Sequence, residues 1–303
     1  MHQMSLDTGK AADAGDDRGR PGTDRPGAPG ATPILIGAGL GLAAGILLGL
    51  RAADGVGGGA GKAEEATYPP LDVPKPLAAD LWIVDSGPMH IAGLTLPIRM
   101  TIVRLQGGDL LIHSPTRFTP DLGRQIDALG TVRHLIAPNI AHWTFLSEWQ
   151  QAYPATTTWG APGLRDRRQV RVSAVTIDRE LGDEAPPAWR DEIDQGIVSG
   201  AGGFRETYFF HKASRTLILV DLIESVEPAR LPPLTRFAMR LSGATRDSTA
   251  FHVRSLLLLD RQQARQAVTR MLALQPARVL FAHGRWFADR GAERLNRAFA
   301  WLL

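Results

Sequence analysis

Four apolar, strand-like runs in this chain end in a polar residue able to hold a metal ion or a proton. "DLLI" leads into His113, "HLIAP" into Asn139 and then His142, "TLILV" into Asp221, and "RVLFA" into His283. Ligands of α/β proteins collect at the carboxyl ends of strands, where these residues fall. The chain has no cysteine, so imidazole and carboxylate are the side chains left to hold zinc or iron. A single residue of this kind means little: "HSP" after "DLLI" reads equally well as the start of a turn, and Gly284 behind His283 as a loop. Several spread over the chain could converge at one sheet edge. The remaining histidines rank lower. His211, beside Lys212, is expected to be solvated, His252 to be packing or surface, and His90 to lie in a loop. Trp82, Trp143, Trp149, Trp189 and Trp286 read as core or rim, and Asp178, Glu180, Asp183 and Glu184 as a solvated acidic loop. No G-x-S-x-G, P-loop or Rossmann glycine pattern occurs, which disfavours nucleophile-elbow hydrolases and nucleotide enzymes.

The elements that must position these residues follow from pattern. "LWIVDS" (81–86), "IRMTIVRL" (98–105) and "DLLIH" (109–113) read as strands, the last two joined by the hairpin turn "QGGD". In "TPDLGRQIDALG", Thr119 is placed to cap a helix, Pro120 to open it and Gly130 to end it. "RHLIA" (133–137) reads as a buried strand and "HWTFLSEWQQAY" as a helix. A hairpin is expected with strands at 206–211 and 216–221 around "KASR". Asp260 is expected to cap a helix over "RQQARQAVTRMLAL", followed by the strand "ARVLFA" and a last helix. Strands and helices in both halves suit two sheets packed face to face with helices outside.

Of the 303 residues, 44% are hydrophobic and 21% charged, enough for a proper core. The net charge of +3 comes with scattered basic residues and no Lys/Arg block with interleaved aromatics, so a nucleic-acid role is not supported. Residues 1–33 are rich in Gly, Pro and charge and read as a disordered tail. "ILIGAGLGLAAGILLGL" (34–50) is uncharged, and at 1.5 Å per residue it makes roughly 25 Å of helix, close to a ~30 Å bilayer core. Gly37, Gly41, Gly45 and Gly49 would line one face of that helix as a seam for self-association. The run is read as a single transmembrane helix, with a flexible Gly/Ala stretch as the alternative. Arg18, Arg20 and Arg25 before it, against Arg51 and Lys62 after it, slightly favour a domain outside the cytoplasm. Residues 51–76 then read as a flexible linker and 77–303 as the folded domain.

The ordered features "LLIHSP", "VRHLIAPNIAHW", "EID", "FFHKASRTLILVDLI" and "LFAHG" resemble the metallo-β-lactamase superfamily, and within it the branch known as domain-of-unknown-function family 4336. The resemblance runs from about Leu81 to Leu302. It implies an α/β fold, an αββα sandwich with a site at the sheet edges, here preceded by the N-terminal membrane helix. The superfamily's main metal motif is H-x-H-x-D-H. Pro138, Ile140, His142 and Trp143 occupy its four places, so only His142 keeps a ligating side chain. The next superfamily histidine would fall near Gly203 and is missing. Asp221 matches the bridging aspartate and His283 the last histidine. His113 stands where many members have an aspartate that shapes the site.

A two-metal site therefore lacks ligands. One zinc or iron ion needs three protein ligands and an open position, which His142, Asp221 and His283 could supply, with His113 or Asn139 as weaker candidates. The expectation is a membrane-tethered protein with a degraded metal site and a non-catalytic binding or assembly role. The alternative is a single-metal hydrolase using a metal-bound water.

Overall fold

The computed structural model describes residues 66–91 and 93–303. The tail, the apolar run at 34–50 with its glycine seam, and most of the linker lie outside these residues. Among the described residues, no helix is long and apolar enough to cross a membrane.

The first sheet takes its strands in chain order: β1 (Lys75–Ala78), β2 (Leu81–Ile91), β3 (Leu94–Arg104), β4 (Asp109–His113), β5 (Thr131–Ala137), β6 (Thr157–Gly160) and β7 (Arg179–Glu180). It is antiparallel through β4 and parallel from β4 to β7. The parallel half needs crossovers, and α1 (Pro120–Asp127), α2 (Leu146–Ala152) and the short α3 (Arg168–Arg171) lie between its strands in the chain. The second sheet has the order β11 (Arg278–Leu280), β10 (Thr216–Ile218), β9 (Arg205–His211), β8 (Ile193–Ser199). Around it come α4 (Pro233–Ser242), α5 (Phe251–Leu259), α6 (Arg261–Ala273) and α7 (Gly291–Phe299).

Side-chain alternation along the strands sorts the core into layers. Leu111, Ile136, Phe209, Ile218 and Leu280 share one cluster drawn from both sheets, which is the seam between them. Their neighbours Leu110, Ile112 and Leu135 point the other way, onto Leu122 and Ile126 of α1 and Leu146 and Trp149 of α2. Tyr208, Phe210, Leu217 and Val279 do the same toward Leu257, Val268 and Leu295 of the later helices. Helix, sheet, sheet, helix is the order of layers expected from the sequence.

Local expectations held in part. Thr119 caps α1, its hydroxyl accepting from the Leu122 N–H. Asp260 sits at the N-cap of α6 without a side-chain capping bond. The helix expected from His142 begins only at Leu146, because the Asn139 side-chain oxygen takes the Ala141 and His142 N–H groups and makes a turn there. His90 belongs to β2, paired with Thr95, rather than to a loop. His211 is buried, contrary to the solvated position expected beside Lys212, and its ring nitrogen meets Ser214.

Candidate metal centre

The ends of β4, β5, β10 and β11 carry the polar residues singled out above, and three of them meet. His142 Nε2 lies 3.1 Å from Asp221 Oδ1 and His283 Nε2 lies 3.2 Å from the same oxygen. One donor atom from each of the three falls within 4.8 Å of the others. The two rings are tilted, with centroids 5.3 Å apart.

Each member is held from behind. His283 Nδ1 donates to the Pro97 carbonyl at 2.8 Å, which turns Nε2 toward the cluster. His142 Nδ1 pairs with the Ser114 hydroxyl at 2.7 Å. Asn139 donates through Nδ2 to Asp221 Oδ2 at 2.6 Å while its oxygen fixes the turn that carries His142. Asn139 thus positions two members of the cluster.

Glu206 explains why Asp221 faces inward. Continued pairing with β9 would have kept residues 219–221 extended, but β10 stops at Ile218. The N–H groups of Val220, Asp221 and Leu222 instead donate to the fully buried Glu206 carboxylate at 2.8, 2.9 and 3.1 Å. A side chain has replaced a strand partner, and the chain bends at the bonded residues. Burial raises the Glu206 carboxyl above the ordinary carboxylate range and the Asp221 charge adds to this, while the three N–H donors oppose both.

The turn behind His283 is fixed by Arg99 and Gly284. Arg99, buried in β3, donates to the Phe281 and Gly284 carbonyls, both at 2.9 Å, and pairs with Asp85 at 2.6 Å. Gly284 has φ +95°, and a Cβ there would fall 2.1 Å from the Ser225 carbonyl oxygen, so no other residue fits this close approach.

Charge in the cluster follows the contacts. Burial alone would raise Asp221, but the two imidazoles outweigh it and hold its carboxyl well below the usual range. Burial alone would lower His283; the hydrogen bond and charge of Asp221 overcome this and push it up to about 9. Two imidazoles and a carboxylate, with the outer imidazole nitrogens already engaged, are a donor set that zinc or iron accepts.

His113 is not brought into the cluster. Its ring packs edge-on against Phe209 with centroids 5.1 Å apart, and its Nε2 is buried without a hydrogen-bond partner among the described residues. Burial, followed by the nearby His142, pushes it down to about 3.

Beside the cluster lies a cavity of about 200 Å³. His142, Asp221, His283, Ser114 and Asn139 form its polar wall, joined by Glu224 and His252. Leu94, Leu96, Ile98, Phe145, Phe204 and Leu256 are among its apolar lining. Burial, then the Asp221 charge, outweighs the pull of His283 and raises Glu224 to about 7. Glu206, Ser114 and Glu224 were not singled out in the sequence. Ser114 alone carried a signal, standing next to a strand-end histidine.

No curated protein matches this sequence. Solved structures with the same architecture include a metallo-beta-lactamase from Pontibacter korlensis, 14% identical over 76% of this chain and 97% of that one, with a TM-score of 0.52. The DIM-1 metallo-beta-lactamase is 12% identical over 76% of this chain and 95% of its own, with a TM-score of 0.55. Likeness at this identity shows the fold alone. The family model described as "Domain of unknown function (DUF4336)" matches residues 79–270. With the sheet order, the layering and the strand-end site in place, the chain belongs to the DUF4336 family and has the metallo-beta-lactamase fold.

Proposed function

We propose that this protein is a single-metal-dependent hydrolase, with His142, Asp221 and His283 as the ligands. The observation that carries the reading is the convergence of these three donor atoms beside a cavity, with both histidines oriented from behind. A bound zinc or iron ion would supply Lewis acidity toward an ester, amide or phosphoester oxygen and would lower the pKa of a bound water. The chain supplies the rest. Ser114 and the Pro97 carbonyl fix the two rings, and Asn139 and the Glu206-bound turn fix Asp221. Leu94, Leu96, Ile98 and Phe145 keep water away from the cavity and receive the apolar part of a substrate. Glu224 faces that cavity with a carboxyl raised to about 7, suited to hold a proton at its Oε atoms and release it near neutrality.

A second reading, a non-catalytic binding or assembly protein, is favoured by Pro138, Ile140 and Trp143, which occupy places where the superfamily motif has ligands. In both readings the apolar run at 34–50 tethers the domain to a membrane as a single pass, and the basic residues slightly favour a non-cytoplasmic domain. Elemental analysis of the purified chain separates the two. About one equivalent of zinc, iron or manganese, lost in His283→Ala and Asp221→Ala, is expected for the hydrolase. A parent chain without metal, even after incubation with these ions, retires the hydrolase and leaves the binding role.

A further inference from the structure

Helix α4 is turned inside out for a helix on a globular surface. Thr235, Met239 and Ser242 are buried, as an inward face should be, but Leu234, Phe237 and Leu241 are 66%, 68% and 69% exposed. These three recur at i, i+3 and i+7, so they form one stripe. The stripe continues past the helix end, where the ring of Phe251, itself 41% exposed, covers Gly243. Basic residues accompany it: the exposed Arg240 within α4, and Arg246 with its guanidinium 5.5 Å from the Phe251 ring. The helix has no acidic residue. An apolar stripe edged by arginines is the composition of a helix lying in the headgroup region of an anionic bilayer.

The path of the chain points to the same occupant. Ala66, the first residue described, is buried against Met239 of α4 together with Leu231 and Ala244. Arg230 and Glu227, just before α4, hold Thr67 and Tyr68. Residues 66–68 therefore lie beside α4. Only residues 51–65 separate this point from the apolar run ending at Leu50. Fifteen residues can span at most about 50 Å.

We propose that α4 docks the domain on the surface of an anionic bilayer, through Leu234, Phe237 and Leu241 with Arg240 and Arg246 at the phosphates. This rests on the membrane reading of residues 34–50. Because the inward face of α4 supplies Met239 and Ser242 to the cavity wall, docking sets the cavity one helix away from the lipid.

The chain has no cysteine, so Phe237→Cys gives a unique site for a polarity-sensitive dye, and Arg265→Cys on exposed α6 serves as the control. Both full-length variants are reconstituted in vesicles containing about one third phosphatidylglycerol in phosphatidylcholine. The expected result is a blue-shifted emission at 237, quenched by doxyl-labelled lipid, with solvent-like emission at 265. Arg240→Glu with Arg246→Glu should reduce the shift while the chain still floats with the vesicles. Solvent-like emission at 237 in a floating chain overturns the docking and leaves the anchor standing. A blue shift that lipid quenchers do not reach overturns it in favour of a second copy or the chain's own N-terminal segment. A chain that does not float overturns both anchor and docking.

Discussion

Replacing Arg99 with methionine should loosen the candidate site from a residue that is not part of it. Arg99→Met keeps length and removes the charge and every donor. The Phe281 and Gly284 carbonyls, at 2.9 Å, each lose a charge-assisted bond, and such bonds contribute about 1.5–3 kcal/mol each. Asp85 keeps Lys75 at 2.8 Å but loses the guanidinium at 2.6 Å; breaking a buried pair costs about 3–5 kcal/mol. Burial of the new apolar side chain offsets about 1.5–3 kcal/mol of this. The net cost is about 3–9 kcal/mol, and a domain of this size loses about 2–4 °C per kcal/mol, giving a Tm roughly 18 °C lower and at least about 6 °C lower. The two carbonyls flank His283, so metal affinity should also fall by about tenfold, as it does when partners behind a ligand are removed. Thermal unfolding by circular dichroism and zinc titration of the purified chain read both effects. Asp85→Asn in the same background should cost less than the sum of the two single changes, since they share one pair. A Tm within about 3 °C of the parent, with unchanged zinc affinity, would refute the reasoning.

Three further outcomes are expected. At a pH above the raised Glu206 carboxyl, at about 8, Glu206→Gln gives the backbone N–H groups of residues 220–222 one acceptor oxygen in place of two and leaves at least one of them facing an amide N–H, so stability should drop by about 3 kcal/mol in denaturant titration; an unchanged midpoint there counts against this role. His113 is held neutral in the fold, lowered from 6.5 to about 3, and the unfolded chain takes its proton first. Its contribution is therefore complete above pH 6.5 and is lost as pH falls toward 3, by up to about 1.4 kcal/mol per pH unit. His113→Phe should flatten that part of the acid unfolding profile, and an identical profile counts against it. On the proposed glycine seam, Gly41→Ile should bring a membrane dimerisation reporter close to background, and an undiminished signal ends the self-association idea.

Part of this architecture was legible because it rests on local rules. The strand-end positions of His142, Asp221 and His283 follow from apolar runs that stop at a polar residue, and Gly284 marks the tight approach behind one of them. The α1 cap needs only Thr119 and Pro120. Glu206 was not legible. Within "RETYFFH" it occupies an ordinary alternating position, and its burial depends on residues 220–222 turning back over β9, which no local pattern encodes. His211 differs from the expectation for a local reason: Lys212 beside it is partly exposed, but successive strand side chains alternate and the histidine takes the buried face of the hairpin. Asn139, a weaker ligand candidate in the sequence, also caps a turn and orients a carboxylate, tasks that its neighbours in the chain do not reveal.

The supports, more than the three candidate ligands, argue that this cluster is worth its cost. Buried charge is expensive, and apolar residues of similar volume often stabilise a fold better. Here the charged and polar groups extend well behind the donor atoms, through Ser114, Asn139, Glu206, Arg99 and Asp85, and reach both sheets. All but Asp85, which pairs with Arg99, bond directly to a cluster residue or to the turn that carries one. Pro138, Ile140 and Trp143, beside the cluster in the chain, offer no ligating side chain. A site that had lost all purpose could shed the remaining polar groups, each exchange for an apolar residue tending to add stability. That these groups instead hold three donor atoms around one point is the physical ground for expecting an ion there.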